Sequence, residues 1–273
     1  RDRIATPCVQ PGRAVRCGEP IAHGDGLMCP SVHAPADGVV RSPALCDTPD
    51  MPEIPCVEID VRACADAVPA VSGTKPTAIA IPTPAAHGAV ARGPSADTGS
   101  PVMAGETIST IDDLVAHVSA MGIVGQGGPG TEGRTTAQRL RDAADRGCEH
   151  VVINAMESDP CVTADWRVLV EQTEDVLAGA QRIARLLRVR NVRLAVDAAP
   201  RRAISHIVAA ARGTPVRVVP LVNKYPQGHM ALLVQALLGR EIPYGGTDLD
   251  LGVLTIGVGT IAAIETSLRT GQP

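Results

Sequence analysis

The chain has 273 residues, with 25 Lys and Arg against 29 Asp and Glu, a net charge of −4 at pH 7 and a pI near 6.0. Charges of both signs are spread along its whole length, so there is no basic stripe to track a phosphate backbone, and nucleic acid is not expected as a partner. No apolar run reaches the roughly 18 to 20 residues of a membrane span, and the first residues lack the charged-then-apolar layout of a signal peptide. The length suffices for a sizeable core, one larger and one smaller domain. With no Phe, one Trp and two Tyr, that core must be packed by Val, Leu, Ile and Ala. The eight cysteines form no CxxC run, so neither an iron-sulfur cluster nor a structural zinc is expected within the chain. Six of them precede residue 65, where a disulfide framework is compatible with the count; free thiols of a reducing compartment are the expectation.

Residues 1–64 read as a small β domain. Short apolar pieces between Val9 and Val40 are punctuated by Pro11-Gly12, Cys17-Gly18-Glu19-Pro20 and Gly24-Asp25-Gly26, which suits a small sandwich or flattened barrel, and Val57 to Val61 supplies another strand. Residues 65–106 are rich in Pro, Ala, Gly, Ser and Thr and read as an extended linker with an isolated strand at Thr77 to Ile81. From residue 107 to 273 helix and strand alternate. Ile111, Leu114, Val115 and Val118 recur at helical spacing behind a Thr110 cap, and a polar helix runs to about Arg146. Strand Val151 to Ile153 is followed by one long helix carrying Leu169, Val176, Leu177, Ala180, Ile183, Ala184 and Leu187. Strand Val192 to Val196, helix Ala203 to Ala211, strand Val216 to Val222, helix Met230 to Leu238, strand Val253 to Val258 and a helix from Thr260 complete the series. Such alternation predicts an α/β fold, a mostly parallel sheet with helices on both faces, and ligands at the carboxyl ends of its strands.

Two places carry chemistry-capable residues. Between the first two helices lies Gly125-Gln126-Gly127-Gly128-Pro129-Gly130, whose backbone N–H groups suit a phosphate. Glycine-rich connections without a ligand are common, and the loop alone does not decide. Directly after the first buried strand come Asn154, Glu157 and Asp159. Isolated loop carboxylates are usually solvated, but beside a phosphate cradle they suit a cofactor offering hydroxyl or N–H donors.

Gly122-Ile123-Val124-Gly125-Gln126-Gly127-Gly128-Pro129-Gly130 matches a GxxGxGGAG pattern, and Val152-Ile153-Asn154 through Glu157-Ser158-Asp159-Pro160 matches INxxECEP. Lys224-Tyr225-Pro226-Gln227-Gly228 matches KYPxG, Gly239 to Gly246 matches TGxxVPxGG, and Asp250 to Ala262 matches DxGVxxxNVGTAxA. With these five motifs in order, the stretch from about Thr110 to Pro273 resembles the C subunit of the Rnf ion-translocating electron-transport complex, and more distantly the flavin- and NADH-binding subunit of respiratory complex I. Pro11 to Val15 and His33 to Val39 are similar to the lipoyl-like barrel-sandwich segment of the Rnf protein; no lysine stands near Gly24 to Gly26, so lipoylation is not implied.

The resemblance implies an FMN-binding domain that exchanges electrons with NADH in a flavoprotein subunit, held on the cytoplasmic face of the cell membrane by the other subunits of an electron-transport complex. It places Gly125, Gly127, Gly128 and Gly130 at the flavin phosphate or NADH, and Arg139 where the family has a lysine. Asn154, Glu157 and Asp159 would meet the ring and ribityl groups, with Glu157 the catalytic acid near the nicotinamide and Thr260 close by. Lys224 and Tyr225 are loop architecture before ligand contacts. No metal site is expected; the family's 4Fe-4S clusters sit in a ferredoxin-type domain whose cysteine runs these residues lack, so the chain alone would not pass electrons beyond the flavin. The family's loop alanine and phenylalanine are Pro129 and Thr131 here, and its flavin-side asparagine is Gly257. Two alternatives therefore stay open at this point: a non-catalytic scaffold paralogue and a cobalamin-reductase-type relative.

Overall fold

The computed structural model describes residues 5–27, 29–46, 54–61, 108–125, 134–157, 159 and 162–273. Its N-terminal part holds β1 (Thr6–Pro7), β2 (Ala14–Val15), β3 (Pro20–His23), β4 (Val32–His33), β5 (Gly38–Cys46) and β6 (Ile54–Val61). These form two three-stranded antiparallel sheets, in the orders β1-β3-β4 and β2-β5-β6. Val9, Val15, Ile21, Ala34 and Val40 make their small core. The strand predicted from Val57 is the second half of β6. The linker and the strand predicted at Thr77 to Ile81 lie outside the described residues.

The larger part is an α/β unit. β7 (His150–Ala155), β8 (Asn191–Asp197), β9 (Val216–Leu221) and β10 (Val253–Gly257) form one parallel sheet in the order β10-β7-β8-β9. Side chains alternate across it, as the strand period requires. Val151, Ile153, Leu194, Val196, Leu254 and Ile256 enter one apolar cluster, and Val152, Ala195 and Val253 enter another. The first face is covered by α1 (Ile111–Ala120), α2 (Thr136–Arg146), α4 (Thr173–Leu186), α5 (Arg201–Ala210) and α7 (Val258–Thr270), and the second by α6 (Met230–Leu238). The prediction of a parallel sheet with helices on both faces is met.

Local chemistry explains most helix limits. The Thr110 hydroxyl accepts the Asp113 N–H at 3.1 Å and the Asp113 carboxylate accepts the Thr110 N–H at 2.8 Å, a reciprocal cap at the start of α1. The single long helix predicted through Leu169 and Leu187 is instead two, α3 (Ala164–Glu171) and α4. They break at Gln172, which has φ −122 and ψ 34, where the Thr173 hydroxyl donates to the Leu169 carbonyl at 2.7 Å. The last strand ends at Gly257, and Val258 already opens α7, so Thr260 falls in the first turn of that helix.

Residues between β3 and β4 touch the α/β unit on both flanks of the glycine loop. Ser31 N–H donates to the Ser119 carbonyl at 3.3 Å at the end of α1. The Thr135 hydroxyl, at the cap of α2, donates to the Leu27 carbonyl. No helix among the described residues is long and apolar enough to cross a membrane.

Candidate functional site

A cleft of about 530 Å³ opens at the carboxyl ends of β7 and β10, where the fold places ligands. A larger, more open depression of about 730 Å³ lies at the other end of the same strands, around Arg146 and Arg240. Its arginines are already engaged, Arg146 with Asp250 at 2.5 Å and Arg240 with the Leu251 carbonyl at 3.4 Å, so the cleft is the better candidate.

One wall of the cleft is rich in donors. Arg139 of α2 is buried, and its Nη2 donates to Asp248 Oδ2 at 2.8 Å and to the Thr255 carbonyl at 2.9 Å. Asp248 also accepts the Thr255 N–H at 2.7 Å, and its side chain is wholly buried. The expected cation at 139 is therefore largely neutralised by its own partner. Among the described residues, however, Arg139 Nη1 has no hydrogen-bond partner, and neither does the buried Thr255 hydroxyl. Both residues line the cleft, as does the half-buried Arg134, which is paired with Asp142 at 2.8 Å. Beside them stands the amino end of α7, capped by Gly257 without a side-chain bond, so its first N–H groups point from the positive end of the helix with no acceptor side chain of their own.

The opposite wall carries acceptors. Glu157 Oε1 accepts the Trp166 N–H at 3.0 Å, which makes this acid a surrogate cap for α3, whose Thr163 makes no side-chain cap bond. Asp159 is exposed at the rim. Asp165, in the first turn of α3, faces the same space; burial, and then the charge of Glu157, push its acid up to about 6.

Six of the nine expected positions can be placed. Gly125, Arg139, Asn154, Glu157, Asp159 and Thr260 all line the cleft together with Gly228 of the Lys224-Tyr225-Pro226-Gln227-Gly228 turn. A Cβ on Gly125 would lie 3.7 Å from Thr136 Oγ1 and 3.8 Å from Thr260 Oγ1, so the loop enters the cleft between the starts of α2 and α7. Gly127, Gly128 and Gly130 lie outside the described residues. Asn154 has both polar atoms engaged: Nδ2 donates to the Gly228 carbonyl at 3.0 Å and Oδ1 accepts the Met156 N–H at 3.0 Å. It ties two cleft loops together rather than offering a free amide. Lys224 and Tyr225 do not line the cleft; they build its Gly228 turn, with Gln227 N–H donating to the Lys224 carbonyl at 2.6 Å. Arg134, Asp165 and Thr255 were not expected from the motifs. The only trace of Asp165 in the sequence is a carboxylate eight residues after Glu157, at the start of a helical pattern. Among the described residues no group of His, Cys, Asp and Glu is arranged to hold a metal ion.

Unspent donors on one wall and carboxylates on the other suit a ligand that has both an anionic group and hydroxyl or N–H donors. A family model described as the Nuo51 FMN-binding domain matches residues 118–266, more than half of the chain. The C subunit of an ion-translocating oxidoreductase complex from Pseudomonas aeruginosa is 30% identical over 98% of this chain and 31% of its own length. The C subunit of a proton-translocating ferredoxin:NAD(+) oxidoreductase complex from Clostridium ljungdahlii is 33% identical over 60% of this chain and 35% of its own length. A solved NAD+-reducing NiFe-hydrogenase in its H2-reduced state shares 20% identity with a TM-score of 0.49, over 59% of this chain and 31% of that one. The chain spans about a third of the length of the curated relatives it matches. Those relatives and the family model bear out the resemblance drawn from the motifs, and the chain belongs to the family of the Nuo51 FMN-binding domain.

Proposed function

We propose that this chain is the FMN-carrying, NADH-reactive module of a C-type subunit in a membrane-associated, ion-translocating electron-transport complex. The observation that carries the reading is the set of unspent donors in the cleft. Among the described residues Arg139 Nη1 and the Thr255 hydroxyl are buried without partners, beside an amino end of α7 whose N-cap Gly257 offers no side-chain bond. Leaving such groups unpaired costs about 1 to 3 kcal/mol each, and an anionic ligand removes that cost. The phosphate of FMN fits them, and the cleft volume of about 530 Å³ is within the range of small-molecule sites.

When bound, FMN supplies hydride and one-electron chemistry, and the chain supplies position and charge. Arg139, Arg134, the amino end of α7 with Thr260, and the glycine loop with Gly125, Gly127, Gly128 and Gly130 hold the phosphate side. Glu157 and Asp159 accept hydrogen bonds from the ribityl and ring donors or from NADH, and Glu157 is the acid that faces the nicotinamide. Asn154 fixes the Gly228 turn beneath them. The N-terminal sheets are read as a lipoyl-like barrel-sandwich domain over residues 1–64, joined by residues 65–106 to the flavin domain. Membrane association runs through partner subunits, and a ferredoxin-type 4Fe-4S domain is the expected electron partner. The scaffold and cobalamin-reductase-type alternatives are not favoured, since the family match and the oxidoreductase-complex relatives both point to the flavin-bearing branch.

Titrating the protein with FMN under fluorescence tests the reading. Stoichiometric quenching, with a visible flavin band that survives desalting and is bleached by NADH, is the expected result. A colourless protein after desalting overturns it.

A further inference from the structure

Asp165 lines the same cleft as Glu157 and has no role in the reading above. Trp166 follows it directly and gives its backbone N–H to Glu157 Oε1 at 3.0 Å, so the two acids meet in one small volume. No described residue is seen to donate a hydrogen bond to the Asp165 carboxyl. A Cβ on Gly259 would stand 3.7 Å from Asp165 Oδ1, which puts the acid against the first turn of α7. The other charged groups lining the cleft are Glu157, Asp159, Arg134 and Arg139. Of the charged groups on the elements packed around α3, Asp175 of α4 pairs with Arg269, Glu265 of α7 pairs with Arg182 and Arg167 of α3 pairs with Glu171, while Glu174 and Arg185 of α4 are exposed and do not line the cleft.

Two carboxyls in one half-buried space resist being ionised together, and the one without donors keeps its proton more readily. A carboxyl that keeps its proton near neutral pH becomes an O–H donor. Resting on the flavin reading, we propose that Asp165 binds the ligand as a neutral acid: in the loaded cleft its carboxyl keeps a proton and donates it in a hydrogen bond to an acceptor atom of the ligand, while Glu157 carries the negative charge. An incoming phosphate adds further negative charge, so loading above about pH 6 draws a proton from solvent onto Asp165.

FMN binding by the full chain, followed by fluorescence quenching from pH 5.5 to 8.5, compares wild type with Asp165→Asn and Asp165→Ala. Calorimetry at pH 7.5 in two buffers of different ionisation enthalpy counts the protons taken up. FMN's own phosphate titrates in all three proteins and cancels in the comparison. The wild-type Kd is expected to weaken with rising pH about tenfold more than that of Asp165→Asn, and only wild type takes up the extra proton. Asp165→Asn keeps a neutral donor and binds at pH 8 at least as tightly as wild type. Asp165→Ala loses the donor and binds about tenfold more weakly at pH 6. Parallel wild-type and Asp165→Asn profiles overturn the proposal, as does an Asp165→Asn protein as weak as Asp165→Ala at pH 8. Absence of FMN binding in all three proteins at every pH overturns the flavin reading itself, and this proposal with it.

Discussion

Arg139 and Asp248 form an ion pair at 2.8 Å whose carboxylate is wholly buried, and that pair ties α2 to the strand β10 that forms the cleft floor. Removing one partner leaves the other charge buried and uncompensated, which is far more damaging than losing a surface pair. Arg139→Met is therefore expected to lower stability by about 3 to 5 kcal/mol in urea unfolding. Arg139→Lys, which keeps the charge but not the fork, should fall between the two. A loss below about 1 kcal/mol for Arg139→Met would show that the pair is not anchoring the helix.

Glu157 caps α3 and, on the proposed reading, also serves the site. Its Oε1 accepts the Trp166 N–H at 3.0 Å, a bond that the carbonyl of a glutamine can also accept. Glu157→Gln should thus unfold at nearly the wild-type denaturant concentration while NADH-dependent turnover falls by tenfold or more. Glu157→Ala should lose the cap as well, about 1 kcal/mol of stability. Unchanged NADH kinetics in Glu157→Gln would remove this acid from the site and leave it only the cap.

Much of this arrangement is legible in the residues themselves. The apolar runs at Val151 to Ile153 and Val192 to Val196 read as strands because both of their faces are buried in the sheet. Thr110 reads as a cap because Asp113 completes the box. The cleft acids after β7 were legible for the same reason, as they follow a strand whose end the fold exposes. What periodicity could not show was the break at Gln172, since the apolar spacing runs on past it and a hydroxyl bond from Thr173 decides the matter. Nor could it show that Arg139 meets Asp248 across 109 positions, or that Asp165 shares one cleft with Glu157 and lies against the first turn of α7. Those depend on how separate elements close on one another, which local pattern does not encode.

Gly257 stands where the family pattern carries asparagine, and the site has room for the side chain. Among the described residues a Cβ there would meet only Thr260 Oγ1, at 3.8 Å, and φ is −69, which any residue adopts. It is also the N-cap of α7, a position that asparagine favours over glycine by a few tenths of a kcal/mol. Gly257→Asn should be slightly more stable and bind FMN several-fold more tightly. Weaker FMN binding by the variant would show that the cleft has been reshaped around the glycine.

The acid of Asp165 also predicts how stability depends on pH. Its folded value is raised from 3.8 to about 6, first by burial and then by Glu157. Between those values the folded chain holds more protons than the unfolded one, so this group's contribution falls as pH rises through the window and stays low above it. Asp165→Asn removes the effect. Its stability relative to wild type should grow between pH 4 and 6 and level off at a gain on the order of 1 kcal/mol, a figure reduced for the solvent that reaches this half-buried group. Denaturant unfolding at pH 4.5 and 7.5 measures it, and a gain of equal size at both would exclude the titration as its source.

Gly122 tests whether the connection between β3 and β4 holds the start of the glycine loop in place. It has φ +66, a conformation that side chains resist, and a Cβ there would come within 2.4 Å of the Ser31 carbonyl oxygen. Ser31 is also the residue whose N–H reaches Ser119, and Gly122 lies three positions before Gly125 at the mouth of the cleft. Gly213 makes a matched control, with φ +79 and no described residue within 4 Å of its Cβ position. Alanine at 213 bears only the backbone strain, about 1 kcal/mol. Alanine at 122 bears that strain and must also push Ser31 away, so Gly122→Ala should lose roughly 1 to 3 kcal/mol more than Gly213→Ala. Because the displaced contact flanks the loop, FMN affinity should fall several-fold in Gly122→Ala and stay at the wild-type value in Gly213→Ala. Equal losses of stability with unchanged affinity in both would mean that the Ser31 contact with Ser119 and Gly122 does not position the site.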